Sequence, residues 1–309
     1  VATKAMMEDP TQDIDAILIT GPTASGKSAL ALELARRHDG VVINADSMQV
    51  YDTLRVVTAR PSEAEMEGVP HRLYGHMPAS ARYSTGDWLR EIEIVVQDLK
   101  AAGRMPVIIG GTGLYFKALT GGLSDMPTIP AGIRDALRQR AIDEGAEALH
   151  VELSGRDPAV AEKLKPQDGQ RIVRALEVLE ATGQSIAGFQ GRAGPMIVDP
   201  ARAKKFVVLP ERAILHERIN RRFSMMMDQG AVDEVQALLA QDLSPEMPAM
   251  KAIGVSQIAD MLAGKISRDA VVELASASTR QYAKRQMTWF RNQMDDRWLR
   301  IDPKQQHPA

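Results

Sequence analysis

Gly21-Pro22-Thr23-Ala24-Ser25-Gly26-Lys27-Ser28 follows an apolar run, Ala16-Ile17-Leu18-Ile19, and precedes a second run that carries Leu30, Leu32, Leu34 and Ala35. G-x-x-x-x-G-K-[ST] between a strand and a helix is the pattern of a phosphate-binding loop. Its glycines let backbone N–H groups turn inward onto phosphate oxygens, and the helix N-terminus adds a partial positive charge. Lys27 supplies a full cation, and the Ser28 hydroxyl is placed to meet a magnesium ion. The bland alternative is a glycine turn that binds nothing. With every motif position filled and both flanks correct, the stretch reads as a site for a di- or triphosphate.

The strand–helix alternation continues. Val41-Val42-Ile43 ends in Asn44-Ala45-Asp46-Ser47, which puts Asp46 at the carboxyl end of a strand, the edge where open parallel sheets bind ligands. Residues 52–84 read as a loop-rich, mobile connection. A helix over Thr85–Ala102 buries Trp88, Ile92, Val95, Val96 and Leu99, and a strand Val107-Ile108-Ile109 ends in Gly110-Gly111-Thr112-Gly113. This is a doubly wound α/β pattern. From Ser124 the texture becomes helical, with helices expected at Ile133–Gly145, Pro158–Leu164 and Gly169–Thr182. The strand Phe206–Leu209 then resumes the sheet, followed by helices at Arg212–Gln229, Ala231–Gln241, Ser256–Leu262 and Arg268–Asn292.

The fold class is therefore α/β: a P-loop NTPase-like parallel sheet flanked by helices, with an inserted all-helical domain and a helical C-terminal region. The expected divisions are a core over 14–123, a helical insertion over 124–200, core completion with C-terminal helices over 201–300, and flexible tails at 1–13 and 301–309.

A chain of 309 residues can bury a sizeable core. It has no cysteine, which excludes disulfides, thiolate catalysis and cysteine-bound zinc. Residues 1–13 carry Glu8, Asp9 and Asp13 without an apolar core segment, so neither a signal peptide nor a membrane anchor is expected there, and no run elsewhere approaches the length of a bilayer span. A soluble, cytoplasmic protein is expected, and it is taken to be a monomer. The net charge of −2 argues against a general nucleic-acid binder. Residues 201–300, however, hold 16 Lys/Arg against 12 Asp/Glu, enough for one basic face.

An ordinary P-loop NTPase has a strand ending in an acid that helps hold magnesium. Here the strand 107–109 ends in glycines, and the acid at a strand end is Asp46. It can serve as a magnesium ligand, as a general base that takes a proton from an acceptor, or as the N-cap of a helix starting at Ser47. Asp295-Asp296-Arg297-Trp298 lacks the third acid of a prenyl-diphosphate D-D-x-x-D motif and reads as a solvated helix end. Arg171 and Arg174 share a helix face with Glu177 as an available partner. Arg280, Lys284 and Arg291 line another face, interleaved with Tyr282, Trp289 and Phe290, either to track RNA or to fill the core. Met225-Met226-Met227 reads as core filling.

Together these segments resemble the bacterial tRNA dimethylallyltransferases, also called tRNA isopentenyl transferases. Besides the P-loop, the resemblance rests on N-A-D-S-M-Q-V-Y at Asn44–Tyr51, V-P-H at Val69–His71 and G-G-T-G-L-Y-F-K-A-L at Gly110–Leu119. It extends through Q-R-I-V-R-A-L-E-V at Gln170–Val178, A-I-G-V at Ala252–Val255 and T-R-Q-Y-A-K-R-Q-M-T-W-F-R at Thr279–Arg291. The chain departs from the family after Tyr51, where R-G-x-D-I-G-T-A-K-P is replaced by Asp52–Pro61 without either glycine and with Arg60 for the lysine. Arg72 and Val255 also replace a histidine and a tyrosine.

The resemblance implies transfer of a dimethylallyl group from dimethylallyl diphosphate to N6 of the adenosine 3′ of the tRNA anticodon, with magnesium and a helical insertion that helps clasp the anticodon arm. It implies that Gly21–Ser28 hold the diphosphate, with Ser28 as the metal ligand. Asp46, Thr23, Lys27 and Arg222 would act in catalysis. Asp46, Ser47, Met48, Gln49, Thr112, Arg134 and the segment Gln170, Arg171, Ile172, Val173, Arg174 would contact tRNA, with Arg280, Lys284 and Arg285 as weaker candidates. The alternatives are a P-loop kinase using ATP and Asp46, a prenyltransferase acting on a free adenine nucleotide, and a non-catalytic nucleic-acid binder.

Overall fold

The computed structural model describes residues 14–302. Their sheet has six parallel strands: β1 (Ala16–Thr20), β2 (Gly40–Asn44), β3 (His71–Arg72), β4 (Met105–Gly110), β5 (Ala203–Val208) and β6 (Leu299–Ile301). They are ordered β3-β2-β4-β1-β5-β6. β1 lies at the centre, pairing Ile17 with Val107 on one side and Leu18 with Lys205 on the other. Every residue of β1 and β2 is buried, as expected of parallel strands covered on both faces.

Alternation along the strands feeds two cores. Ile17, Ile19, Val42, Val107 and Ile109 meet Leu30, Ala31, Leu34 and Ala35 of α1 (Lys27–Arg37). On the opposite face, Ala16, Leu18, Val41, Ile43 and Ile108 meet Trp88, Ile92 and Val96 of α3 (Thr85–Ala101), which follows the short α2 (Glu63–Met66). Tyr115, Phe116 and Leu119 of α4 (Gly113–Leu119) complete that face. Helix α3 starts at a reciprocal capping box between Ser84 and Asp87.

The described chain divides into two compact units, one of residues 14–120 with 197–302, the other Gly121–Met196. The second begins and ends a few residues before the expected 124 and 200. It is built from α5 (Ala131–Asp143), α6 (Ala146–Arg156), α7 (Pro158–Ala161) and α8 (Gly169–Thr182) around Leu137, Leu149, Leu153, Ile172 and Leu176. Helix α6 was not expected. It buries only Leu149 and Leu153, too few to give a periodic signal.

After β5 come α9 (Arg212–Asp228), α10 (Ala231–Leu239), α11 (Val255–Leu262) and α12 (Arg268–Gln293). Met226 and Met227 are buried, whereas Met225 is exposed.

Two expectations need correction. Residues 52–84 are not a loose connection: Leu54, Val56 and Val57 are buried against Phe223, Met226 and Val235, and β3 extends the sheet. Residue 301 does not start a tail, because Ile301 pairs with Val208 and is buried. Residues 1–13 and 303–309, the remainder of the expected tails, lie outside the described residues. Among the described residues no helix is long and apolar enough to cross a membrane.

Candidate active site

The loop from Gly21 to Gly26 joins β1 to α1. Ala24 and Gly26 both adopt left-handed backbone conformations, with φ of 63° and 92°. Gly26 accepts this at no steric cost, immediately before the helix begins. Ser25 is fully buried, and its hydroxyl has no partner within the protein. An orphaned donor inside a loop of this type fits an oxygen-rich guest. Lys27 donates from Nζ to the Pro22 carbonyl at 3.2 Å, within the same loop. Burial lowers its pKa to about 8; the Asp46 carboxylate partly opposes that shift and Arg222 adds to it. Arg218 of α9 braces the loop, its guanidinium donating to the Ser25 carbonyl at 3.3 Å. Ser28, in the first turn of α1, is exposed.

Asp46 lies two residues beyond β2, in a turn organised by Asn44. The Asn44 amide donates to the Asp46 and Leu73 carbonyls, both at 3.0 Å, and its oxygen accepts the Asp46 N–H at 2.8 Å. Asp46 Oδ1 accepts the Met48 N–H at 3.0 Å. This caps a turn and not a helix, so the helix N-cap reading is set aside. One carboxylate oxygen is thus held by the backbone, which fixes the other. The field of Asp46 reaches Lys27 and raises the pKa values of Tyr74, Tyr115 and Tyr282, in each of which burial is the larger cause.

β4 delivers a second turn beside Asp46. Gly110 passes so close to β2 that a Cβ there would lie 1.9 Å from the Ala45 carbonyl oxygen. Thr112 joins the two turns: its hydroxyl accepts the Ser47 N–H at 3.0 Å and donates to Ser47 Oγ at 3.3 Å.

Gln286 of α12 joins the second turn to the P-loop. Its Oε1 accepts the Thr23 N–H at 3.0 Å and its Nε2 donates to the Gly111 carbonyl at 2.9 Å. The sequence reading did not single out Gln286. A signal was present, because it shares a helix face with buried Ala283 and Phe290, a stripe where an amide must find partners. Of the interleaved aromatics, Phe290 is buried and Trp289 packs against Gly113, while Tyr282 is half-buried with the Arg285 guanidinium over its ring.

The structure thus gathers Gly21–Ser28, Asp46–Gln49 and Thr112 around one end of the sheet. Arg222 belongs to the same neighbourhood, since its charge acts on Lys27, and burial lowers its own pKa while Glu65 counters. Arg134, Gln170, Arg171 and Arg174 lie on the helical unit. Arg171 pairs with Asp168 at 3.5 Å. Arg174 pairs with the buried carboxylate of Glu177 at 3.2 Å. Ile172 and Val173 cannot present side chains to RNA: they are 0% and 7% exposed and face the core of that unit. Helical periodicity turns them inward while Gln170, Arg171 and Arg174 remain accessible.

No group of three His, Asp or Glu side chains that could hold a metal occurs among the described residues. Magnesium is nonetheless compatible with the loop, because it commonly takes one protein oxygen together with phosphate oxygens and water. The Ser28 hydroxyl fits that role.

A P-loop on a parallel sheet, tied through one glutamine to a turn that flanks a fixed carboxylate, defines a P-loop α/β protein with an anion-binding loop beside an acid. Comparison with known proteins narrows the class. Family models described as IPP transferase and isopentenyl transferase match residues 49–293 and 14–77. The chain is 71% identical to the tRNA dimethylallyltransferase of Allorhizobium ampelinum over 96% of its length and 98% of that protein, and 70% identical to that of Agrobacterium fabrum over 96% and 100%. Among solved structures, the tRNA isopentenylpyrophosphate transferase of Bacillus halodurans superposes with a TM-score of 0.66 at 32% identity, covering 94% of this chain and 92% of that one. A eukaryotic dimethylallyltransferase acting on tRNA superposes with a TM-score of 0.78 at 26% identity, covering 93% and 73%. The chain belongs to the tRNA dimethylallyltransferase family.

Proposed function

We propose that the protein transfers a dimethylallyl group from dimethylallyl diphosphate to N6 of the adenosine 3′ of the tRNA anticodon, releasing pyrophosphate. The observation that carries this reading is a P-loop cation, Lys27, lying within the field of Asp46, whose carboxylate is held by the Met48 N–H. An exocyclic adenine amine is a weak nucleophile, because its lone pair is delocalised into the ring. Asp46 accepts the N6 proton as the C–N bond forms. The allylic C–O bond breaks, and its electron pair leaves on the diphosphate oxygen. Lys27, the loop N–H groups and Arg222 stabilise that charge. A magnesium ion held by Ser28 and the diphosphate would neutralise part of it. Thr23 contributes to the cradle through its hydroxyl, since its N–H is taken by Gln286.

Ser47, Met48, Gln49 and Thr112 line the acceptor side. Arg134, Gln170, Arg171 and Arg174 contact the anticodon arm. The target base leaves its stack to reach the site, at a cost of a few kcal/mol that is smallest in a single-stranded loop. The protein works as a cytoplasmic monomer.

Labelled dimethylallyl diphosphate offered with an anticodon stem-loop, with AMP, and with no acceptor tests the reading, alongside an ATP-hydrolysis assay. Label is expected on the stem-loop alone, with no ATP turnover. Label on AMP in preference to RNA would make the protein a free-nucleotide prenyltransferase. ATP turnover without prenyl transfer would make it a kinase.

A further inference from the structure

Gln49 stands three residues after Asp46, and its side-chain amide is fully committed on one side. Nε2 donates to the Thr58 carbonyl at 2.9 Å and to the Ala59 carbonyl at 3.0 Å. Both amide hydrogens are consumed, so Oε1 points away from that loop. The reverse orientation would set the amide oxygen against two carbonyl oxygens at the same distances, with no proton between them. The Gln49 side chain therefore offers its surroundings an acceptor and no donor.

The carbonyls that impose this lie in the segment Asp52–Pro61, which lacks the family's glycines. Ala59 holds a left-handed conformation there, φ 54°, without a glycine's freedom. What fixes the segment is a carboxylate from far along the chain. Glu234, in the first turn of α10, accepts the N–H groups of three successive residues: Arg55 at 3.1 Å, Val56 at 2.8 Å and Val57 at 3.1 Å. Successive N–H groups pointing one way form a nest that captures an anion, and here the anion is internal. The turn closes with the Ala59 N–H on the Val56 carbonyl at 2.9 Å and the Arg60 N–H on the Arg55 carbonyl at 2.8 Å. Val56 and Val57 are buried beneath it.

We propose that Glu234 is a positioning residue for RNA recognition: by holding the nest at 55–57 it aims the Thr58 and Ala59 carbonyls at Gln49, which makes residue 49 an obligate acceptor for a base N–H, such as an exocyclic amine, next to the target adenosine. The proposal rests on the tRNA-modifying reading above. Glu234 touches no reacting atom, and its effect passes through Gln49.

The test is a double-mutant cycle of E234Q, Q49A and the pair, with transfer to an anticodon stem-loop as the assay. The amide introduced by E234Q would keep one acceptor oxygen but set an NH2 group against the nest. E234Q and Q49A are each expected to raise KM for the stem-loop about tenfold. The kcat and the KM for dimethylallyl diphosphate should stay within about twofold of wild type. The double variant should be no worse than Q49A alone. A purely structural role would instead lower the active fraction, and with it kcat.

Stem-loops in which one non-target base at a time lacks its exocyclic amine provide a second readout. One of them should lose about tenfold with wild type and show no loss with E234Q or Q49A. If E234Q does not fold, E234D takes its place in the cycle, with a smaller rise expected. Additive effects in the cycle, an unchanged KM in E234Q, or an amine penalty that survives in Q49A would overturn the proposal. Absence of transfer to any RNA by the wild-type protein would sink the broader reading instead.

Discussion

Gln286→Leu removes both hydrogen bonds that tie the P-loop to the β4 turn while roughly preserving side-chain volume. Gln286 is only 6% exposed, so water is poorly placed to replace it. The Thr23 N–H and the Gly111 carbonyl would each lose a partner now at 3.0 and 2.9 Å. An orphaned buried polar group costs about 1–3 kcal/mol, and the half-buried Thr23 position recovers part of its share from solvent. We therefore expect unfolding free energy to fall by about 2–4 kcal/mol in urea melts. The P-loop and the turn beside Asp46 would no longer be held in register. A loss of about 2 kcal/mol in transition-state stabilisation corresponds to roughly a 30-fold drop in kcat/KM for the donor. Gln286→Glu discriminates further. It keeps an acceptor for the Thr23 N–H but sets a second, unprotonated oxygen against the Gly111 carbonyl, and it adds negative charge beside the P-loop, where the proposed reaction places an anionic donor. It should be worse than leucine in kcat/KM. A leucine variant within twofold of wild type, or a glutamate variant more active than leucine, would refute the clamp.

Two further expectations follow from the same geometry. Lys27 has a pKa lowered to about 8, so its ammonium is present below that pH and lost above it; kcat/KM for the donor should fall about tenfold per pH unit on the alkaline side, and a flat profile to pH 9.5 would show that Lys27 keeps its proton there. Gly110→Ala would drive a Cβ to within 1.9 Å of the Ala45 oxygen and force β2 and β4 apart, costing about 3 kcal/mol in a urea melt; an unchanged midpoint would contradict that contact.

What could be read from the sequence was what depends on neighbours in the chain. The P-loop announces itself because its glycines, lysine and serine act within eight residues, and Asp46 because a strand's apolar run stops just before it. Helix α8 was placed at its observed limits, Gly169 to Thr182, since its buried stripe has a clean period and Gly183 follows in a left-handed conformation. β3 and β6 escaped because two and three residues carry no alternation, and both lie at the edges of the sheet.

The segment after Tyr51 looked loose for a related reason. Its anchor, Glu234, lies 178 residues from Val56, and nothing local marks the pairing. Gln286 is hidden in the same way, 263 residues from Thr23. The motif Gln170–Arg174 was read as a block, although helix geometry divides it between core and surface.

The role of Asp46 is the claim on which the chemistry depends, and Asp46→Asn under single-turnover conditions isolates it. Asparagine preserves the acceptor for the Met48 N–H and nearly the same shape, but cannot take a proton from N6. At saturating dimethylallyl diphosphate and stem-loop, RNA affinity should stay within about twofold of wild type while the transfer rate falls by a factor of about 10²–10⁴. Transfer by the asparagine variant at a rate within twofold of wild type would contradict the account.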